Sequence, residues 1–92
     1  MIKSFKHKGL ERLWTLDDGK AFQKKDAQRI KLRLAVIDSI EKVEDITNPA
    51  YKFHPLTGDR KGVYSLTVRA NYRITFEFIN GDAYILNYED YH

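Results

Sequence analysis

Residues Tyr64–Phe78 have the sequence YSLTVRANYRITFEF and carry the clearest structural pattern of this chain. Apolar and polar side chains alternate along it on both sides of a turn at Ala70-Asn71-Tyr72, which is typical of two half-buried strands. Asn80-Gly81-Asp82 predicts a second hairpin turn, and residues 83–88 are rich enough in aromatic and branched side chains to form a third strand. The C-terminal half is therefore expected to be an antiparallel three-stranded meander.

Helical spacing marks the first half of the chain. Apolar side chains at i, i+3 and i+4 predict a first short helix through Leu10, Leu13 and Trp14. This helix is expected to end at Asp18-Gly19, because glycine accepts the positive φ of a helix C-terminus. Asp26 is a plausible cap for a second helix that runs to about Val43. The apolar face of this second helix is formed by Ala27, Ile30, Leu34, Ile37 and Ile40.

The order of these elements indicates an α+β fold. Ile2–Phe5 is a candidate for a short N-terminal strand ahead of the two helices. The predicted arrangement is β-α-α-β-β-β, with the helices packed on one face of the sheet. The register of the last strand stays open, since the core could be faced by Tyr84, Leu86 and Tyr88 or by Ala83 and Ile85.

Length and composition bound the possibilities. With 92 residues, of which 42% are hydrophobic and 32% charged, the chain is expected to form one small globular domain over residues 1–92. It contains no cysteine, which excludes disulfides and thiolate zinc sites. No apolar run is long enough for a signal peptide or a spanning helix, so a cytoplasmic protein without membrane contact is expected.

Positive charge is concentrated in the first third of the chain. The net charge is +3, but residues 3–33 carry ten Lys and Arg side chains against four acidic ones. Such a surface suits a polyanionic partner, although a solvated helix face would show the same pattern. The candidate partner-binding residues are Lys3, Lys6, Lys8, Lys24, Lys25 and Arg29.

An arginine pair is the first candidate for a functional site. If the chain turns at Ala70-Asn71-Tyr72, Arg69 and Arg73 face each other on the side of the sheet opposite the core, with Thr67 opposite Thr75. Like charges in directly opposed positions destabilise a sheet. The pair is useful where an anion binds between the two guanidinium groups.

Two further segments carry groups suited to acid–base chemistry. His54 lies in a Pro- and Gly-punctuated loop among several cations, where a histidine is suited to act as a general base. The chain ends in Asp90-Tyr91-His92 directly after a strand, and aromatic side chains there could stack on nucleotide bases. An exposed loop histidine and a frayed tail are the alternative interpretations. No phosphate-loop, nucleophile-elbow or metal-binding motif is found, so no cofactor or metal is expected.

Four segments together resemble the HigB toxins of the RelE/ParE superfamily: Met1–Leu10, His54–Arg60, Ser65–Phe76 and Phe78–His92. The resemblance covers nearly the whole chain, and its most specific part is the terminal Tyr-Glu-Asp-Tyr-His. It implies a RelE-like fold and a ribosome-dependent mRNA endonuclease that cleaves at the ribosomal A site without a metal. It also implies a helix-turn-helix antitoxin of the HigA type as the partner. Any contact of the toxin with DNA would be indirect, through this antitoxin.

The resemblance assigns roles to individual residues. His54, Arg73, Asp90, Tyr91 and His92 are the implied catalytic residues. Arg73, supported by Arg69, would hold the phosphate, the histidines and Asp90 would transfer protons, and Tyr91 would stack on the nucleotide. Substrate binding is further implied for Arg60 and Lys61, and the basic N-terminal third would contact ribosomal RNA in the 30S decoding region.

One position departs from the family pattern. Thr57 stands where close relatives tend to carry a lysine, so a phosphate contact could be weakened. Arg60 or Lys61 could supply the missing charge.

Two rival functions stay open at this point. A toxin of the ParE type keeps the fold but inhibits DNA gyrase by binding and cleaves nothing, and fold alone does not decide between them. A non-catalytic RNA- or protein-binding module could use the arginines and aromatic side chains as a docking surface. His54 together with the terminal Asp90-Tyr91-His92 favours the nuclease, because neither rival needs these groups.

Overall fold

The structure, a computed structural model, describes residues 1–91 and confirms the α+β class. Two helices, α1 (Lys8–Leu16) and α2 (Lys24–Ser39), precede four strands. The strands are β1 (His54–Pro55), β2 (Val63–Arg69), β3 (Tyr72–Ile79) and β4 (Asp82–Asp90), and they form one antiparallel sheet in the order β1-β2-β3-β4. Within residues 1–91, no helix is long and apolar enough to cross a membrane.

The core lies between the two helices and one face of the sheet. Both helices contribute fully buried aliphatic side chains, and the strands contribute their inward-facing alternate positions. The most completely buried large side chains are Leu10, Ile30, Leu34, Ile37, Leu66, Ile74, Phe76 and Leu86. One sheet face is thus covered by helices, and we call the other face, which carries polar residues, the open face.

The ends of the sheet differ from the predicted meander. The N-terminal segment lies beside β4 in parallel orientation, but it forms only two isolated bridges, Ile2 with Ala83 and Phe5 with Leu86. At the opposite edge, β1 adds a fourth strand that pairs with β2. A two-residue strand containing proline carries no alternation pattern, so the sequence gives no signal for it.

Both helices end earlier than predicted. The left-handed residue that closes α1 is Asp17, with φ of 56°, and not Gly19. The second helix begins at Lys24 and ends at Ser39, so Val43 lies outside it. Asp26 is not the cap, because Gln23 holds that position; it is a buried residue of the first turn, and Arg69 binds its carboxylate.

A histidine caps the first helix. The ring Nδ1 of His7 accepts a hydrogen bond from the backbone N–H of Leu10 at 3.2 Å. The ring also packs against Phe22 and Tyr88, and this burial lowers the pKa of His7. The cap requires the neutral ring, since protonation of Nδ1 would remove the acceptor.

A bulge in β2 corrects the predicted register of the first hairpin. Thr67 pairs with Arg73, and Arg69 pairs with Tyr72, so Val68 is an extra residue without a cross-strand partner. The extra residue reverses the side on which the next side chain emerges. The predicted opposition of Arg69 and Arg73 is therefore wrong, as is that of Thr67 with Thr75, which instead pairs with Ser65.

A second bulge, in β4, resolves the open register of the last strand. Two residues, Ile85 and Leu86, stand opposite the single residue Phe76. Ile85 has a φ of 57° and is 46% exposed, whereas Ala83 and Leu86 are fully buried. The core-facing set thus combines parts of both predicted patterns, because the bulge shifts the alternation by one residue.

Replacement of Ile85 by glycine is expected to stabilise the fold by about 0.5–1 kcal/mol, because glycine adopts a positive φ that is strained for a branched side chain. Chemical denaturation measures the free energy of unfolding. Ile79→Gly is the control, since Ile79 is also half exposed but lies in regular strand backbone. This control should be destabilised, and a loss of stability in both variants would contradict the interpretation.

Candidate active site

Polar side chains form two rows across the open face of the sheet. Directly paired residues of neighbouring strands point to the same side. The first row is Thr67, Arg73 and Glu89, and the second is Ser65, Thr75 and Asn87. His54 pairs with Ser65 and extends the second row onto β1.

The carboxylate of Glu89 is the centre of this surface. Arg60 donates to both of its oxygens, with Nη1 2.8 Å from Oε1 and Nη2 2.5 Å from Oε2. Arg73 donates to Oε1 through Nε at 3.3 Å and Nη2 at 3.1 Å. Thr75 Oγ1 and Asn87 Nδ2 donate to Oε2 at 3.1 and 3.4 Å. Two guanidinium groups from different parts of the chain are thus held around one carboxylate.

These donors keep Glu89 ionised. The hydrogen bonds from Arg60 are the largest cause, and with those from Arg73 and Thr75 they outweigh burial and lower the pKa of Glu89 to about 2. The Glu89 side chain is 18% exposed and that of Arg73 is 12% exposed, so the pair is only partly screened by water.

The low pKa of Glu89 predicts a loss of stability in acid. Because the folded-state value lies below the ordinary value of 4.5, the contribution is complete above about pH 4.5 and disappears as the pH falls towards 2. Between pH 6 and pH 2, the free energy of unfolding should fall by about 2 kcal/mol more in the wild type than in Glu89→Gln. Urea denaturation as a function of pH measures this. An equal pH dependence of the free energy of unfolding in the two proteins would contradict this prediction. The control is Glu44→Gln, which replaces an exposed glutamate and should follow the wild type.

The end of β4 is fastened to the turn between β2 and β3. The backbone N–H of Tyr91 donates to the Asn71 carbonyl at 3.0 Å, and the Asn71 side-chain amide donates to the Asp90 carboxylate. The Tyr91 ring covers the Arg73 guanidinium, whose Cζ lies 4.5 Å from the ring centroid. Asp90 alternates with Glu89 along β4 and pairs with Tyr72, so it leaves the strand on the other side from Glu89.

Arg69 belongs to a different cluster from Arg73. Its Nε and Nη2 donate to the two oxygens of Asp26 at 2.6 and 2.9 Å, on the helical side of the sheet. This bidentate pair, together with Arg29, lowers the pKa of Asp26. The guanidinium also lies over the Tyr72 ring. Arg69 thus joins the start of α2 to the end of the β2–β3 hairpin.

The remaining predicted residues lie around the open face or outside the described part of the chain. His54 is exposed, and its Nδ1 lies 2.8 Å from the Lys52 carbonyl. Thr57 precedes the short 3₁₀ turn Gly58–Arg60, which brings Arg60 to Glu89, while Lys61 is exposed. His92 lies outside the described residues.

A cleft of about 180 Å³ borders the Glu89 cluster. Its polar lining comes from Lys6, Arg60, Thr75, Glu77, Asn87 and Glu89, and Val63 and Ile85 form apolar walls. Within residues 1–91, no group of three or more His, Asp or Glu side chains could hold a metal ion. With Arg60 and Arg73 held around Glu89, the site is suited to bind an anion and to place polar groups beside it.

A family model of HigB-like toxins, described as the RelE-like toxin HigB of type II toxin–antitoxin systems, matches residues 3–92. This chain belongs to the HigB-like toxin family. A relative in Proteus vulgaris, named Endoribonuclease HigB, is 56% identical over 92 residues, which is 100% of both chains. As the toxin of a type II system, this HigB-like toxin has an antitoxin as its partner.

Solved structures of YafQ from E. coli share the fold. A YafQ mutant superimposes with a TM-score of 0.64 at 17% identity, covering 99% of this chain and 92% of the other. YafQ from strain BL21(DE3) gives a TM-score of 0.61 at 13% identity with the same coverage. At these identities the similarity concerns the fold alone.

Most of the internal partners in the site of this HigB-like toxin could not be predicted from its sequence. The sequence alone assigns no functional role to Glu89, Thr75, Asn87 or Asn71. Alternation along β4 places Asn87 and Glu89 on one side, which is a usable signal once the strand register is known. No pattern in the sequence indicates that Asn71 holds the C-terminal residues.

Proposed function

We propose that this toxin is a ribosome-dependent endoribonuclease that cleaves translated mRNA at the ribosomal A site and so inhibits translation. The name of the Proteus vulgaris relative, which is 56% identical over its full length, supports the endoribonuclease activity. The observation that carries the proposal is the Arg73 guanidinium, which Glu89 orients and Tyr91 covers on the open face. A largely buried, oriented arginine is suited to stabilise charge that develops on a phosphate.

The reaction we propose needs no metal. A base removes the proton of the 2′-hydroxyl, whose oxygen attacks the adjacent phosphorus, and the bond from phosphorus to the 5′-oxygen breaks. An acid then protonates the 5′-oxygen, leaving a 2′,3′-cyclic phosphate and a 5′-hydroxyl. His54 and His92 are the proposed proton-transfer groups, and Tyr91 is proposed to stack on the nucleotide. Proton transfer by Asp90 stays a prediction of the family resemblance, because its side chain leaves β4 on the other side from Glu89.

The proposed phosphate contact falls to Arg73 and Arg60. Both guanidinium groups belong to the Glu89 cluster, whereas Arg69 is bound to Asp26 on the other side of the sheet. The exposed Lys61 lies next to Arg60 in the chain and adds positive charge near the same region. Arg60 thus offers a replacement for the lysine that the family tends to carry at the position of Thr57.

The ribosome is the proposed site of action. All six basic residues that were predicted to bind it are exposed, namely Lys3, Lys6, Lys8, Lys24, Lys25 and Arg29. Exposed cations of this kind attract the phosphate backbone of ribosomal RNA, and the attraction weakens steeply with salt. We further propose that the antitoxin is a helix-turn-helix protein of the HigA type and supplies any contact with DNA.

The chemistry is tested on an mRNA that carries a single 2′-deoxynucleotide at the cleavage position. Without the 2′-hydroxyl, cleavage at that position should fall below detection, while the unmodified mRNA yields a 2′,3′-cyclic phosphate and a 5′-hydroxyl. End-labelling and mass spectrometry identify the product ends. Cleavage of the 2′-deoxy substrate to a 5′-phosphate would contradict the mechanism.

A further inference from the structure

We propose that Glu89 is an internal anion that occupies the phosphate-binding position between Arg60 and Arg73, and that a phosphate of the RNA substrate displaces it. This inference rests on the proposed function, since that function supplies the phosphodiester ligand. It adds an occupant and an exchange step to the site: the guanidinium groups leave the carboxylate and bind phosphate oxygens instead.

The number of donors around Glu89 supports this exchange. Two hydrogen bonds come from Arg60, two from Arg73, and one each from Thr75 and Asn87. A carboxylate has about four lone-pair positions on two oxygens. A phosphodiester offers further oxygens in a tetrahedral arrangement, so it can receive the four guanidinium hydrogen bonds with less crowding, while Thr75 and Asn87 donate only to Glu89. Arginine forks suit phosphates and carboxylates alike.

The charge of the cluster points the same way. Two guanidinium groups and one carboxylate leave one positive charge within the cluster. Without an anion between them, Arg60 and Arg73 would repel each other at short range, so Glu89 keeps both in place before substrate arrives. The Tyr91 ring covers the Arg73 guanidinium, and the adjoining cleft gives an incoming phosphate access from the Arg60 side.

The proposal is tested by measuring the binding of two ligands. One is inorganic phosphate, and the other is a 2′-O-methyl trinucleotide, which cannot be cleaved through its 2′-oxygen. Isothermal titration with Glu89→Gln should show about tenfold tighter binding of both ligands than the wild type. Glu77→Gln is the matched control, because Glu77 lines the same cleft but belongs to neither arginine pair. Its affinity should change less than twofold. Equal gains in the two variants would reduce the effect to net charge and overturn the proposal, as would unchanged or weaker binding by Glu89→Gln.

A second variant keeps the test valid if Glu89→Gln folds poorly. Thr75→Val removes the hydroxyl that anchors Glu89 without changing charge or volume, and it should tighten phosphate binding two- to threefold. Unchanged affinity in this variant would also overturn the exchange. These experiments measure binding and not cleavage. Tighter phosphate binding by the variants, with no RNA cleavage by the wild type, would support the anion site and reject the nuclease. RNA cleavage by the wild type, with no tighter binding by the variants, would support the nuclease and reject the exchange.

Discussion

Replacement of Arg73 by alanine is expected to lower the rate of mRNA cleavage on programmed ribosomes by about 10²–10³-fold. The proposed role of Arg73 is to stabilise charge on the phosphate as the 2′-oxygen attacks, and alanine removes the contribution of this guanidinium, leaving only that of Arg60. The fold should survive, because Arg60 still pairs with Glu89 through both oxygens and leaves no orphaned carboxylate. Single-turnover cleavage kinetics with thermal unfolding of the same preparation measure both effects.

Two comparison variants sharpen this prediction. Arg73→Lys keeps the charge but loses the planar fork, so its rate should lie between those of the wild type and Arg73→Ala. Arg69→Ala should mainly lower stability, because Arg69 binds Asp26 on the helical side. A loss of rate in Arg69→Ala as large as that in Arg73→Ala would contradict the placement of the phosphate on the open face.

Removal of either proposed proton-transfer histidine should lower the cleavage rate by about 10²–10⁴-fold. His54→Ala and His92→Ala are the variants. The rate loss in the double variant should be far smaller than the product of the two single rate losses. His7→Asn is the control: asparagine can still cap α1, and His7 belongs to the helix start and not to the open face. Its cleavage rate should stay within about threefold of the wild type under conditions where it is folded.

A modified substrate distinguishes the acid from the base. An mRNA with sulfur in place of the scissile 5′-oxygen has a leaving group that needs no protonation. The variant that lacks the general acid should regain most of its rate on this substrate, whereas the variant that lacks the base should not. Rescue of neither histidine variant would contradict the assignment of both histidines to proton transfer.

Much of the fold follows from local pattern. Alternation in Tyr64–Phe78 and the Asn80-Gly81-Asp82 turn predicted β2, β3 and β4 within one or two residues. The helices were predicted from apolar spacing, but their ends were wrong. In α1, Asp17 takes the left-handed position expected of Gly19, and α2 ends at Ser39, before Val43. Helix ends depend on single backbone conformations that residue type constrains only weakly.

The bulge in β2 explains why the arginine pair was misplaced. A strict alternation rule puts Arg69 and Arg73 on one side of the hairpin, and the extra residue Val68 moves Arg69 to the other side. Its partner Asp26 is 43 residues away, so the pair depends on tertiary packing. The same holds for Arg60 and Glu89, which are 29 residues apart.

The catalytic assignments came from the family resemblance and not from periodicity. Tyr91 and Arg73 are in contact in the structure, which the spacing of residues along the chain does not predict. Asp90 is held by Asn71, and His54 reaches the open face through β1, a strand too short to predict. A site assembled from four strands and a loop is visible only once the register of every strand is known.

Primer extension on an mRNA in a purified translation system tests the ribosome-dependent nuclease function. The protein is added with programmed ribosomes in one reaction and without ribosomes in another, alongside His92→Ala. Cuts are expected within the codon in the ribosomal A site, only when ribosomes are present and only with the wild-type protein. Intact mRNA under all conditions would contradict the nuclease function and favour a gyrase-inhibiting toxin, and equal cutting without ribosomes would contradict ribosome dependence.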